Sequence, residues 1–160
     1  MDLKNNGGFS LAELLVAIAI MAILATISFS NYAGFRNKHS VEAEIAKLTA
    51  IIREAMELSR SQADNSQWGV HLANPTGVGN DFYEIWKGGS YASGTVTQKV
   101  NLSNSVRFAD PADNLTKDVI FGKATGLPTA SSSVIVESLT GGGTGTINID
   151  TSGRVDYTFN

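Results

Sequence analysis

The chain has 160 residues, with 12 Lys+Arg against 15 Asp+Glu for a net charge of −3, and no cysteine. Those totals exclude a disulfide framework, a thiolate metal site and a thiol nucleophile, and no basic patch or stripe of the kind nucleic-acid binders carry is evident. Hydrophobic residues make up 42%, yet they gather near the N-terminus, so the mean hydropathy of zero averages an apolar segment with a polar remainder.

The first predicted element is the run GGFSLAELLVAIAIMAILATISF, Gly7 to Phe29. From Leu14 to Phe29 its only polar side chains are Thr26 and Ser28. Counted from Phe9 it holds about twenty residues, roughly what a helix needs to cross a hydrocarbon core of about 30 Å. A cleaved secretory signal fits poorly, because the apolar stretch is too long and no Ala-x-Ala site follows it. Orientation stays open: Lys4 precedes the run, Arg36 and Lys38 follow it, and the positive-charge rule decides for neither side. Glu13 is the awkward residue. A carboxylate within a membrane segment costs about 2.5–3.5 kcal/mol at the bilayer centre and less near an interface. It is therefore either solvated at headgroup depth or a functional group in need of a partner, and energetics alone leave both readings standing.

Beyond the run, Val41, Ile45, Leu48, Ile52, Ala55, Met56 and Ser59 follow helical spacing and form one stripe. Glu42, Glu44, Lys47, Arg53, Glu54, Glu57 and Arg60 fall largely off it. The mixed signs on that polar face argue for a helix packed on its own domain rather than on a membrane surface. The helix is expected to end near Gln62 to Asn65. Strands are then predicted at Trp68–Leu72, Phe82–Lys87, Thr95–Leu102, Val106–Phe108, Val119–Gly122, Val134–Glu137, Gly145–Asp150 and Val155–Phe159, from alternating or apolar runs bounded by turn formers. Thr151-Ser152-Gly153-Arg154 between the last two is a hairpin signal. A helix leading into antiparallel strands is an α+β fold.

No catalytic constellation emerges. His39 and His71 lack zinc-ligand spacing; His71 is expected as an exposed alternate of its strand, and His39 among charged stem residues. Gly88-Gly89-Ser90-Tyr91 is not a nucleophile elbow. The loop Asn74-Pro75-Thr76-Gly77-Val78-Gly79-Asn80-Asp81 offers oxygen ligands but no phosphate or calcium motif, so neither metal nor cofactor is assigned. Trp68, Tyr83, Trp86 and Tyr91 are expected to serve core and sheet packing.

Gly8-Phe9-Ser10-Leu11-Ala12-Glu13-Leu14-Leu15-Val16 resembles the class III signal of type IV prepilins and pseudopilins. The resemblance implies cleavage after Gly8 by a membrane prepilin peptidase on the cytoplasmic side, with N-methylation of Phe9. It also implies that Glu13, at the fifth mature position, meets the N-terminal amine of a neighbouring subunit in a filament. One departure stands out: Ser30-Asn31-Tyr32 replaces the Pro-Asn-Tyr of many members, which removes a helix-breaking feature and leaves helix continuity open. The head is similar to H-type pseudopilins and related minor pilins, through Ser59-Arg60-Ser61-Gln62-Ala63, Gly69-Val70-His71-Leu72, Val119-Ile120-Phe121, Thr125-Gly126-Leu127-Pro128 and Gly145-Thr146-Ile147-Asn148-Ile149. That similarity implies two small antiparallel sheets. Some relatives take up DNA through a C-terminal Gly-Arg-x-Arg, but Gly153-Arg154-Val155-Asp156 puts an acid at the second arginine, so nucleic acid is not expected as a partner.

The expected organisation is a cleaved leader over 1–8, a transmembrane and filament-core helix over 9–29, an amphipathic stem over 30–63 and an antiparallel β head over 64–160. The expected function is that of a non-enzymatic, single-pass subunit of a type IV pilus or type II secretion-type filament. Its partners would be the prepilin peptidase, other pilin subunits, an inner-membrane assembly platform, and membrane lipid before assembly. The competing reading is a membrane-anchored, minor pilin-like binding module, for DNA uptake, adhesion or contact with secreted substrates, that does not form the bulk of a fibre.

Overall fold

The computed structural model describes residues 9–77, 79 and 81–160, with the side chains of 27–33 outside the description. The expected leader, 1–8, and with it Gly8, therefore lies outside the described residues. The chain divides into two compact units, Met1–Phe35 and Arg36–Asn160.

Helix α1 is Leu11–Arg60. Its backbone is helical through residues 30–32, the stretch where continuity was open; it lacks the proline ring that would remove a donor and clash with the preceding turn. In the first unit Thr26 Oγ1 donates to the Ile23 carbonyl at 2.7 Å, so this polar side chain is satisfied within its own helix. Among the described residues no helix is long and apolar enough to cross a membrane. Described side chains of the apolar stretch cover 11–26, about 24 Å at 1.5 Å per residue, and the side chains of 27–29 lie outside the description.

In the second unit the helical stripe becomes core. Val41, Ile45, Leu48, Ile52, Ala55 and Ser59 are all buried, and Met56 packs beside them. Among the described residues they meet eight strands in two antiparallel sheets. The first sheet has the order β3-β2-β1-β5, from β1 (Trp68–Asn74), β2 (Phe82–Lys87), β3 (Thr95–Asn101) and β5 (Leu115–Phe121). The second has the order β4-β6-β7-β8, from β4 (Val106–Asp110), β6 (Ser132–Ser138), β7 (Thr144–Ile149) and β8 (Val155–Phe159). All neighbouring strands are antiparallel. The α+β class and the two-sheet architecture are thus as expected.

Three contacts show why the helix must sit across both sheets. Ser59 Oγ donates to the carbonyls of Phe121 and Gly122 at 3.0 and 3.2 Å, Arg53 donates to the Val155 carbonyl at 3.0 Å, and a Cβ on Gly145 would lie 2.7 Å from Ile45. Lys117 on β5 ties the sheets together, bonding to Asp110 and to the Ser133 carbonyl. The helix ends at Arg60, slightly before the expected region, and a 3-10 turn over Ala63–Asn65 follows.

Two expectations fail in this unit. Glu44, placed on the polar side of the helix, is buried, with Oε1 unpartnered and Oε2 only 3.5 Å from Lys47 Nζ. It faces the β2 strand, where Tyr83 is buried beside it. His71, expected as an exposed alternate, is also buried. The reason is the loop after β2. It folds back over the outer face of the first sheet, so every residue of β1 is covered, and Tyr91 stacks on the His71 ring at 3.6 Å and 2°.

Candidate assembly site

The start of α1 is built by local hydrogen bonding. Ser10, just before the helix, and Glu13, in its first turn, satisfy each other. The Ser10 amide and hydroxyl both donate to Glu13 Oε2 at 2.9 Å, and the Glu13 amide donates to Ser10 Oγ at 3.3 Å. This is a capping box, which answers the orphan N–H groups every helix N-terminus exposes and places a negative charge at the positive end of the helix dipole. Glu13 is thus a helix-capping group within its own chain. That lessens the cost of carrying a carboxylate at the head of an apolar run, since two donors replace water around it.

Phe9 is 89% exposed. Leu11, Leu14, Leu15, Val16, Ile18, Ile20, Met21, Ile23 and Leu24 are each more than half exposed. A contiguous apolar surface of that extent is the mark of a segment that lipid or protein covers. Of the expected site residues, Phe9 and Glu13 are brought within one helical turn of each other at the start of this surface, and Gly8 is outside the described residues. Ser10 is the capping residue that a search for charged and aromatic positions passes over. Its signal was present: Ser three residues before Glu, ahead of an apolar run, is a capping signature in sequence alone.

The head brings together a second group of residues, on the outer face of the first sheet. His71 Nδ1 lies 2.7 Å from Asp118 Oδ1, and Tyr91 donates to Glu84 Oε2 at 2.6 Å. Lys99 Nζ is 3.4 Å from Glu84 Oε1. The Glu84 bond, more than burial, pushes the Tyr91 phenol up to about 12. Trp86 is fully buried against the backbone of Gly69 and Gly94. The cluster closes a loop over a sheet, with Tyr91, Lys99 and His71 Nδ1 each on a carboxylate and the Trp86 indole N–H buried without a partner among the described residues. His39 Nδ1 lies 2.9 Å from Glu42 on the helix. Among the described residues no group of three His, Asp or Glu is placed to hold a metal ion.

At the last hairpin, Arg154 Nε lies 2.6 Å from Asp156 Oδ2. The guanidinium pairs with a residue of the strand that follows it, in a shallow cleft shared with Ser131, Ser133, Asn148 and Asp150.

Residues 3–29 match the prokaryotic N-terminal methylation motif. The match supports a type IV pilin-like precursor of the kind processed by N-methylation, a structural class rather than an enzyme family. It implies membrane anchoring, processing by a prepilin peptidase and assembly with other pilin subunits. No curated protein and no solved structure matches the chain.

Proposed function

We propose that this chain is a pilin or pseudopilin, a non-enzymatic structural subunit of a type IV pilus or a type II secretion-type filament. The observation that carries the reading is the methylation motif over residues 3–29 coinciding with a helix whose first turn holds Glu13 and whose apolar face is bare. In this reading residues 1–8 are the leader, cut between Gly8 and Phe9, and Phe9 is then N-methylated. Residues 9–29 wait in the cytoplasmic membrane as a single span with the head outside. Residues 30–63 form the stem and 64–160 the head. On assembly the apolar side chains exchange lipid for neighbouring helices, and Glu13 pairs with the amine of another subunit. Such a pair is stable in a low-dielectric fibre only if both charges are matched.

Mass spectrometry of the native N-terminus, with electron microscopy of sheared surface material, tests this. N-methyl-Phe9 in filaments is the expected result. A chain that retains Met1 would overturn the reading, and a chain processed but found only in membranes would favour a minor or secretion component over a surface pilus. Gly8→Ala should abolish processing, and a mature chain beginning at Phe9 in that variant contradicts the proposed cleavage site.

A further inference from the structure

We propose that residues 88–94 form a lid held shut by one side chain, Tyr91, and that the seat this ring occupies on the outer face of the first sheet is a binding site for a single hydroxyaromatic ring. Tyr91 is its internal occupant. The site is independent of assembly, because every residue it uses lies in the second unit.

The lid leaves the sheet after Lys87 and re-enters at Thr95, and those two residues pair across β2 and β3. Its feet meet at backbone distance: a Cβ on Gly88, where φ is +138°, would lie 2.9 Å from the Gly94 Cα. Glycine alone tolerates both demands, so the lid stands on a narrow base. Gly89, Ser90, Ala92 and Ser93 are exposed, and the Ser90 and Ser93 hydroxyls bond each other at 2.8 Å. Tyr91 is left to supply the hold. The seat, by contrast, is built by the strands. The imidazole of His71 on β1 lies parallel to the Tyr91 ring at 3.6 Å, and Trp86 on β2 meets that ring edge-on at 6.4 Å and 69°, a favoured aromatic geometry. Glu84 Oε2 accepts the hydroxyl at 2.6 Å, a charge-assisted bond. Asp118 on β5 fixes His71 Nδ1 at 2.7 Å, and Lys99 on β3 stands 3.4 Å from the other Glu84 oxygen. Recognition of a phenol is therefore positioned without the lid. The covered layer also holds the buried Trp86 indole N–H without a partner, and an unmade hydrogen bond makes the shut state less favourable than its contacts alone would. A lid held by one ring over a seat built by four strands opens locally and leaves the seat standing.

Both tests use the full-length precursor in detergent micelles, with acylation of histidine by diethyl pyrocarbonate read by mass spectrometry. His39, exposed on the stem, is the internal reference for His71, which the shut lid buries. In wild type, slow His71 acylation should be independent of low urea, as local opening is; a rate that rises with urea as global unfolding does overturns the lid. Tyr91→Phe keeps the ring and loses the hydroxyl bond, so His71 acylation relative to His39 should rise about ten- to hundredfold, the range of one bond to a charged group. An unchanged ratio contradicts the latch. Tyr91→Ala, with its fold checked by circular dichroism, empties the seat. There p-cresol, the tyrosine side chain cut at Cβ, should protect His71 at concentrations at least about tenfold below those toluene needs. Wild type, with its seat filled, should gain no protection, which controls for partition into micelles. Equal protection by toluene, or none by p-cresol in the folded variant, overturns the site.

Discussion

Glu44 shows at the scale of one residue how a helical pattern misleads. Read by spacing it belongs to the polar face, yet the face is wider than the stripe, and the strands of the first sheet reach far enough round the helix to cover it. Its Oε1 is buried without a partner, and the neighbouring Tyr83 phenol is pushed up to about 12, by burial first and by the Glu44 charge second. Replacing a buried, half-satisfied charge with an apolar side chain of similar volume is commonly stabilising. Glu44→Met should therefore raise the unfolding free energy by about 1 kcal/mol in urea titrations, and a loss of stability would show that the carboxylate has a partner the fold needs. Asp81 carries a pH signature. Burial raises its carboxyl above the ordinary value of 3.8, with a further push from Asp113, against the pull of the Phe108 amide and Arg107. A raised folded value means the protonated form is favoured on folding. Its contribution is complete below the unfolded value and is lost as pH rises through the folded one. Stability should thus decline from pH 4 upward relative to Asp81→Asn, whose amide oxygen still accepts from Phe108. Parallel pH profiles for the two proteins would exclude Asp81 as the cause.

At the scale of elements, strands were legible because alternating and β-branched runs stand between turn formers, and β2 and β8 fall where expected. The extensions were less so. The early part of β5, 115–118, reads as polar and turn-like, and it is a strand because it pairs with β1 from Trp68 to Asn74. The same partner overrides the alternation of β1. One face packs on the core and the other lies beneath the returning loop, so both are buried. Gly69 marks that second layer, because a Cβ there would sit 2.6 Å from the Trp86 ring and 2.9 Å from the Val119 carbonyl. Neither a close-packed indole nor a strand backbone can retreat cheaply. Gly69→Ala should cost about 1–3 kcal/mol of unfolding free energy, with increased Trp fluorescence exposure on denaturant titration. An unchanged midpoint would mean that the Trp86 layer is looser than drawn.

For the whole molecule the decisive variant is Glu13→Ala. Removing one partner of a buried charge pair costs about 3–5 kcal/mol, so incorporation should fall more than a hundredfold while leader cleavage continues. Filaments assembled normally from that variant would refute the pairing role. The sequence by itself determined the α+β class, the apolar run and the assembly motif, because each is a local pattern: length and hydrophobicity for the run, helical spacing for the stem, residue identity for the motif. It held the Ser10–Glu13 box too, as a short-range signature. Only the tertiary structure decided that His71 and Glu44 are buried and that Tyr91 closes the outer face of a sheet. Burial depends on what folds back from elsewhere in the chain, and local spacing does not encode which loop will cover which face.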